Sequence, residues 1–273
     1  MDVSTVVPVI TTWLKERITQ SGLKGFVVGI SGGVDSALVS TLCAETGLPV
    51  LCVSMPIYQA ADQLSRADSH MAWLKGKYPN VTITTLQLSH PFGGIEFALS
   101  GNEIIPITEL ALANTRARIR MATLYAFANS LNYLVAGTGN KVEDFGVGFF
   151  TKYGDGGVDI SPIGDLLKTE VRDMAAFLGV SEDIVKATPT DGLWADNRSD
   201  EGQIGATYPQ LEAAMAFCER EDIPNTEFFN LQKNRKAYPD MDPDFERVVR
   251  VYLERHENSA HKMSMPPVCR LYE

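Results

Sequence analysis

The sequence predicts an α/β protein with a doubly wound parallel sheet and helices on both faces. Two observations support this fold class: short apolar segments of strand length alternate with segments of helical periodicity, and glycine-rich or polar turns separate them. Strands that alternate with helices form parallel βαβ units. A length of 273 residues fits one large α/β domain or two small ones, and we expect a single domain over residues 1–273.

The N-terminal part of the chain alternates regularly between the two kinds of segment. Apolar residues recur at helical spacing over residues 4–20 and predict a first amphipathic helix. The second predicted helix ends near Gly47, since helices commonly end at a glycine. The predicted elements that follow are a strand over 24–30, a helix from 34 to about 47, a strand over 49–55, a helix over about 60–77 and a strand over 81–88.

The second half of the chain is less regular. Residues 89–107 are richer in glycine and proline and are expected to be irregular. Seven glycines within residues 137–157 are too many for a regular element, so this stretch predicts a functional loop or lid. The other expected elements are helices over 109–130, 165–178, 208–219 and 242–256, a strand over 132–136, a loop over 188–200 and an extended C-terminal tail.

Composition narrows the class of protein. The net charge is -10, from 24 Lys and Arg against 34 Asp and Glu, whereas nucleic-acid binders usually carry a basic face. We therefore expect no nucleic-acid partner, although a few local cations can still attract a small anionic substrate into a cleft. No apolar run has the length of a membrane span, and residues 1–4 do not resemble the start of a signal peptide. These features predict a cytoplasmic protein without membrane contact.

Cysteine and histidine spacing predicts no metal cluster and no disulfide framework. Cys43, Cys52, Cys218 and Cys269 form no Cys-x-x-Cys pair, and the four histidines show no ligand spacing with them. We therefore interpret the cysteines as reduced and mostly structural and do not expect a zinc site.

A phosphate-binding loop is predicted between the first strand and the second helix. Ligands of open α/β sheets bind outside the carboxyl ends of the strands. Glycines let the backbone approach a phosphate closely, and the free N–H groups and dipole of the following helix favour an anion. The residues of this predicted loop are Gly29, Ile30, Ser31, Gly32, Gly33, Val34, Asp35 and Ser36.

The loop matches neither of the two common nucleotide-binding patterns. It lacks the Gly-Lys-Ser/Thr of a Walker A loop and is not Gly-x-Gly-x-x-Gly. The alternative is a glycine turn in which Asp35 and Ser36 cap the helix, since both residue types favour caps. Beside a polyphosphate the Asp35 carboxylate would repel the anion unless a cation intervened, and Mg²⁺ held by a carboxylate and phosphate oxygens removes this conflict. The segment resembles the pyrophosphate loop of the N-type ATP pyrophosphatases.

Two later segments contain further candidate residues. Arg116, Arg118 and Arg120 alternate along a predicted helix, where residues two apart point about 200° apart and residues four apart share a face. Arg116 and Arg120 are therefore neighbours, and Arg118 points elsewhere, with solvated surface as the alternative for each. Thr138 and Glu143 follow the fourth predicted strand, in position to meet a nucleotide unless the segment is an ordinary loop.

The whole set of motifs closely resembles the ammonia-dependent NAD synthetases. Besides the phosphate loop and the Ala-Arg-x-Arg-Met helix, the chain has Phe-Thr-Lys-Tyr-Gly-Asp-Gly-Gly-x-Asp over residues 150–159 and Lys168. The order is collinear over residues 25–265. The later matching segments are Thr188 to Trp194, Asp200-Glu201 followed by Gly205 to Tyr208, and His261-Lys262.

This resemblance implies a fold like the adenine nucleotide alpha hydrolases and a role for each matching residue. It implies that the phosphate loop, Thr138, Lys168 and Thr190 bind ATP, and that Asp35 and Glu143 bind Mg²⁺. It implies that the deamidated dinucleotide contacts Arg118, Lys152, Asp159, His261 and Lys262. The residues expected to be catalytic are Asp35, Lys152, Asp159 and Lys168. The resemblance also implies a homodimer with the dinucleotide across the subunit interface.

The implied reaction is an ATP-dependent amidation. The carboxylate of nicotinic acid adenine dinucleotide would attack the α-phosphorus of ATP, and ammonia would then displace AMP to give NAD. Asp155 or Asp159 is a candidate to accept a proton from ammonium, and the sequence does not choose between them. The chain shows no separate glutaminase domain, which favours free ammonia as the nitrogen donor. The alternatives are another amidotransferase domain of the GMP synthetase kind, a sulfur-transferring tRNA modifier, and a non-catalytic nucleotide-binding sensor.

Overall fold

The computed structural model describes residues 2–102, 104–194, 198–221, 223 and 241–271. Within them, four strands form one sheet in the order β3-β2-β1-β4, and every pair is parallel. The parallel α/β sheet expected from the sequence is therefore confirmed. The strands are β1 (Phe26–Ile30), β2 (Val50–Ser54), β3 (Val81–Thr85) and β4 (Leu134–Val135).

Helices connect and cover these strands. Those before the fourth strand are α1 (Val3–Ser21), α2 (Val34–Glu45), α3 (Ala61–Lys77), α4 (Ser89–Ser100) and α5 (Glu109–Leu131). A π-helix, π1 (Lys141–Val147), follows the fourth strand. The later helices are α6 (Lys168–Phe177), α7 (Glu182–Val185), α8 (Asp200–Ile204), α9 (Tyr208–Arg220) and α10 (Pro243–Met263). None of the helices in the described part of the chain is both long and apolar enough to cross a membrane.

The sheet buries apolar side chains on both faces. Successive side chains of a strand point to opposite faces, and in β1 Val28 packs in a cluster with α1, α2 and α6, while Val27 packs with residues of α4 and α5. Both residues are fully buried. The helices therefore lie on both faces, as expected for a doubly wound sheet. A third apolar cluster joins π1, α9 and α10.

The strand order creates a crevice beside β1. The chain runs from β1 to β2 to β3 on one side and then returns to place β4 on the other side of β1, with Phe26 paired to both Val50 and Leu134. The carboxyl ends of β1 and β4 thus flank a topological switch point, which is where ligands bind in open α/β sheets.

Three expectations about local structure were wrong. Residues 89–107 were expected to be irregular, but α4 forms there because Pro91 lies in the first turn, where its missing N–H is not needed, and Phe92 is fully buried. The expected loop over 137–157 contains π1, whose first N–H groups are capped by the Asn140 side chain. The last helix extends to Met263 rather than ending near residue 256.

Candidate active site

A cavity of about 270 Å³ opens at the carboxyl ends of β1 and β4. Its position agrees with the phosphate loop expected after the first strand. Among the residues expected to bind ATP or Mg²⁺, those that line the cavity are Gly29, Ile30, Ser31, Gly32, Gly33, Val34, Asp35, Thr138, Glu143, Lys168 and Thr190. Eleven candidate residues from four separate segments of the chain therefore meet in one place.

The phosphate loop has a backbone that requires glycine at one position. Gly32 has φ +85°, and a Cβ there would lie 2.4 Å from the backbone oxygen of Gln63. Ser36 does not line the cavity, because it is buried beneath the loop: its hydroxyl accepts from the Ser31 N–H at 3.3 Å and donates to the Gly33 oxygen at 3.0 Å. Ser36 therefore supports the loop in this structure, and its expected contact with ATP stays a prediction.

The alternative interpretation of this loop as a capped glycine turn does not fit the contacts. Helix α2 begins after Gly33 without a side-chain cap. The Asp35 carboxylate instead accepts hydrogen bonds from Lys168 at 2.6 Å and from the Asn140 side-chain amide at 3.0 Å. The first turn of α2 therefore has no side-chain cap, and Gly33, Val34 and Asp35 line the cavity, which fits an anion site.

Lys168 joins the two candidate metal ligands. Its ammonium lies 2.6 Å from Asp35 Oδ2 and 2.9 Å from Glu143 Oε1, and only 3% of its side chain is exposed. Burial opposes the charge of Lys168, but the two carboxylates outweigh it and raise the pKa of the lysine, so it stays protonated. An ammonium fixed at this point is suited to neutralise an anion that enters the cavity.

The two carboxylates respond differently to the same surroundings. Burial raises the pKa of Asp35, the charge of Lys168 opposes this effect, and Glu143 adds to it. For Glu143, burial also favours the neutral form, but Lys168 and the hydroxyl of Tyr208 outweigh it and lower the pKa. Two carboxylates that share one lysine carry a net negative charge, which favours a further cation.

The donor set at this point fits Mg²⁺. Asp35 and Glu143 supply hard carboxylate oxygens that converge on one ammonium. Mg²⁺ is commonly held by one or two carboxylates together with substrate phosphates and water. No group of three or more His, Cys, Asp or Glu suited to a metal ion occurs among the described residues.

Tyr208 and Asp200 lie behind Glu143, and sequence reasoning assigned neither of them a role. The Tyr208 hydroxyl donates to Glu143 Oε1 at 2.5 Å and lies 3.4 Å from Asp200 Oδ2. Burial, with a contribution from Glu143, raises the pKa of Asp200 to about 7 despite the opposing charge of Lys168. Asp200 Oδ1 is buried without a hydrogen-bond partner, so this part of the cavity wall retains one unused acceptor.

Arg120 is a second residue of the cavity that sequence reasoning did not select. It donates to the Met55 oxygen at 3.0 Å and to Gln59 Oε1 at 2.8 Å, and burial lowers its pKa to about 10, with Arg116 contributing. Arg116 instead donates to the Leu193 oxygen. The helical spacing that paired Arg116 with Arg120 was a usable signal for this face of α5.

Most residues expected to contact the dinucleotide lie together, but outside the cavity. Arg118 Nε lies 3.4 Å from the Lys152 oxygen, and the Lys152 ammonium donates to the His261 oxygen at 2.5 Å. Lys262 donates to the backbone oxygens of Gly148 and, at 2.9 Å, of Phe150. The turn that follows π1 and the end of α10 thus hold each other through two lysines.

Asp159 is separated from that group. Its carboxylate accepts from the Tyr125 hydroxyl at 2.9 Å and from the Val135 N–H at 2.8 Å, and it does not line the cavity. Asp155 does line the cavity and accepts from the Thr151 N–H at 3.0 Å. Of the two carboxylates left open as proton acceptors, Asp155 is therefore the one that faces the candidate site.

The chain is similar to known proteins over nearly its whole length. The NAD synthase family model matches residues 6–266. The NH(3)-dependent NAD(+) synthetase of Carboxydothermus hydrogenoformans is 39% identical, with 74% of this chain and 81% of the relative covered. That of Alkaliphilus oremlandii is 36% identical, with 94% of each covered.

Solved structures agree with this match. The NH3-dependent NAD synthetase from Campylobacter jejuni has a TM-score of 0.75 at 26% identity, with 99% of this chain and 100% of that chain covered. Neither a GMP synthetase-like domain nor a non-catalytic sensor is favoured by these similarities. The collinear motifs, the parallel sheet with its phosphate loop and the match over residues 6–266 agree, and the chain belongs to the NAD synthase family.

Proposed function

We propose that this chain amidates nicotinic acid adenine dinucleotide to NAD, with ATP as the activating nucleotide and ammonia as the nitrogen donor. The observation that supports this most directly is the meeting of Asp35, Glu143 and Lys168 beside the phosphate loop, in a chain of the NAD synthase family. That arrangement suits a reaction in which a polyphosphate and a second anion must approach each other.

The reaction has two steps. A carboxylate oxygen of the nicotinic acid attacks the α-phosphorus of ATP, and the bond to the leaving pyrophosphate breaks. Ammonia then attacks the carbonyl carbon of this mixed anhydride, loses a proton and displaces AMP. The N–H groups of the phosphate loop and the Lys168 ammonium bind the phosphates of ATP, and Thr138 and Thr190 line the rest of the nucleotide site.

Asp35 and Glu143 are the residues that would hold Mg²⁺ when ATP binds. When bound, it offsets phosphate charge that the single Lys168 ammonium does not neutralise. The support for this is the convergence of both carboxylates on one point and their excess negative charge over that lysine.

The dinucleotide binds beside the group formed by Arg118, Lys152 and the His261-Lys262 pair. Its support is the clustering of the cations Arg118, Lys152 and Lys262 at the turn after π1 and the end of α10, in a protein whose net charge is -10. Asp159 contributes at the edge of this region. We further propose that one domain over residues 1–273 acts as a homodimer in the cytoplasm.

The test is formation of NAD from purified protein, the deamidated dinucleotide, ATP, Mg²⁺ and ammonium, measured by mass spectrometry. We expect NAD, AMP and pyrophosphate in equal amounts, with none formed when the dinucleotide is left out. Pyrophosphate release without NAD at saturating ammonium would contradict the proposed substrate and retain only the ATP site. Light scattering of the same preparation tests the dimer.

A further inference from the structure

Tyr208 contacts the candidate metal ligand Glu143 from a different part of the fold. It is the first residue of α9 and is fully buried. The phenol has a single hydrogen, and the 2.5 Å contact to Glu143 Oε1, rather than the 3.4 Å contact to Asp200, is the one of hydrogen-bond strength. The Lys168 ammonium also lies 5.0 Å from the centre of the tyrosine ring.

The tyrosine is held firmly by its own helix terminus. Thr207 and Gln210 form a capping box around the first turn of α9, which satisfies two otherwise unpaired N–H groups. The backbone N–H of Tyr208 itself donates to Glu201 Oε1 at 2.9 Å. The backbone that carries the phenol is therefore held in place within the cluster formed by π1, α9 and α10.

We propose that Tyr208 is a positioning residue that holds the Glu143 carboxylate for the cation that binds with ATP. Glu143 lies in π1, a single short element of seven residues, and its Oε1 receives both the Lys168 ammonium and the phenol. Without the phenol, the Lys168 ammonium remains as the partner of Glu143 Oε1 named above, and it draws the carboxylate towards itself. The inference rests on the proposed function, because it concerns the site at which the metal would bind.

The test compares Tyr208→Phe with a matched control. Tyr78 donates to Glu45 Oε1 at the same distance of 2.5 Å, but neither residue lines the cavity, so Tyr78→Phe removes an equivalent bond elsewhere. Mn²⁺ is the spectroscopic probe: its binding in the presence of ATP is measured by electron paramagnetic resonance. We expect Tyr208→Phe to weaken Mn²⁺ binding about tenfold, which is typical for loss of a hydrogen bond to a charged group, and Tyr78→Phe to leave it unchanged.

Steady-state kinetics provide a second measurement. A merely structural role of Tyr208 would not change the dependence of the rate on Mg²⁺ alone. The half-saturating Mg²⁺ concentration should rise in Tyr208→Phe, while the KM for the dinucleotide stays at the wild-type value. The thermal midpoint of Tyr208→Phe should equal that of Tyr78→Phe. Equal losses of Mn²⁺ binding in both variants, or unchanged binding in Tyr208→Phe, would overturn the inference. A wild-type protein that binds Mn²⁺ with ATP but forms no NAD would instead contradict the proposed function.

A second variant tests the same contact from the side of the carboxylate. Glu143→Asp shortens the side chain and withdraws the carboxylate from the phenol. It should weaken Mn²⁺ binding, and combining it with Tyr208→Phe should add little, because residues that act through one contact are not additive. Normal Mn²⁺ binding by Glu143→Asp, or fully additive losses in the double variant, would overturn the positioning role.

Discussion

The Lys168 ammonium lies 2.6 Å from the Asp35 carboxylate, although 133 positions separate the two residues in the chain. Asp35 is in the first turn of the helix that follows β1, and Lys168 is the first residue of α6. The contact therefore joins two helix N-termini, both of which favour negative charge nearby. A polyphosphate that entered beside the start of α2 would meet this buried ammonium.

Asp35→Asn tests whether the carboxylate acts in metal binding or only in folding. The amide keeps the shape of the side chain but loses the charge that a cation needs, so we expect turnover to fall on the order of 100-fold. The measurement is pyrophosphate release at saturating ATP and varied Mg²⁺. Asp68→Asn on the exposed face of α3 is the control. Full activity of Asp35→Asn would reduce Asp35 to a structural role.

Gly32 and Gly33 form a natural pair for testing the phosphate loop. Alanine at Gly32 is disfavoured by φ +85° and by the approach of its Cβ to the Gln63 oxygen at 2.4 Å, at a cost of at least about 1–2 kcal/mol for the left-handed conformation alone. At Gly33 the nearest atom is the Ser31 hydroxyl at 3.3 Å. We expect Gly32→Ala to lose ATP binding, measured by calorimetry, and to unfold at lower temperature than Gly33→Ala. The reverse order of the two variants would contradict this loop geometry.

The three arginines of α5 should have separable effects. Arg118→Ala should raise the KM for the dinucleotide without changing that for ATP, because Arg118 lies with Lys152 outside the cavity. Arg120→Ala should raise the KM for ATP, since it frees Gln59 and the segment after β2. Arg116→Ala should mainly lower thermal stability, because its guanidinium holds the Leu193 oxygen. If Arg118→Ala changed the KM for ATP and not that for the dinucleotide, the assignment of Arg118 to the dinucleotide site would be wrong.

The fold was predictable because its signals are local. Period and turn chemistry are properties of neighbouring residues, and they indicated all four strands of the described sheet. The prediction failed over 89–107, which was expected to be irregular because it is richer in glycine and proline. A helix forms there because Phe92 is buried and because the proline lies in the first turn, where it removes no helical hydrogen bond. That information lies in the tertiary structure and not in the segment.

The sequence selected several side chains that the fold brings together, but it did not indicate the contacts between them. The resemblance selected Asp35, Glu143 and Lys168, yet nothing in the sequence states that one ammonium contacts both carboxylates. Tyr208 belongs to a motif that was noticed, but its partner follows from the packing of α9 against π1, which no local pattern encodes. Asp159 illustrates the opposite case, because its motif position is clear while its oxygens are bound to Tyr125 and Val135.

His70 should make stability depend on pH below neutrality. Burial lowers its pKa to about 4, and its neutral ring shares a 2.9 Å hydrogen bond with Ser40. A group whose pKa is depressed on folding stabilises the protein above its unfolded pKa of about 6.5, and this contribution is lost as the pH falls towards 4. The free energy of unfolding, measured with urea, should therefore fall by up to about 3 kcal/mol more between pH 7 and pH 4 in wild type than in His70→Gln.

An exposed histidine provides the control for that comparison. His90 lies on the surface at the start of α4, and His90→Gln should keep the full wild-type dependence on pH. Carboxylates titrate in part of the same window, which is why the difference between variants, rather than the wild-type slope, is the measured quantity. An unchanged slope in His70→Gln would show that the ring is not buried in its neutral form.

The nitrogen donor and its proton are tested by pH profiles at limiting ammonium. Only NH₃ has the free electron pair, and ammonium deprotonates well above neutrality like other amines, so an enzyme without a proton acceptor should become faster as the pH rises. The structure places Asp155 in the cavity, whereas both oxygens of Asp159 are engaged elsewhere. We therefore expect Asp155→Asn to steepen the profile and Asp159→Asn to leave its shape unchanged.

A proton acceptor that lines the cavity changes which form of the nucleophile can enter the site. If Asp155 binds ammonium and removes its proton inside the site, the abundant cation becomes usable and the wild-type rate depends weakly on pH. In Asp155→Asn only the scarce neutral form reacts, so saturating ammonium should restore much of the rate. If Asp159→Asn steepened the pH profile instead, Asp159 would be the proton acceptor. Turnover with glutamine as the sole donor, in protein free of ammonia, would rule out free ammonia as the required nucleophile.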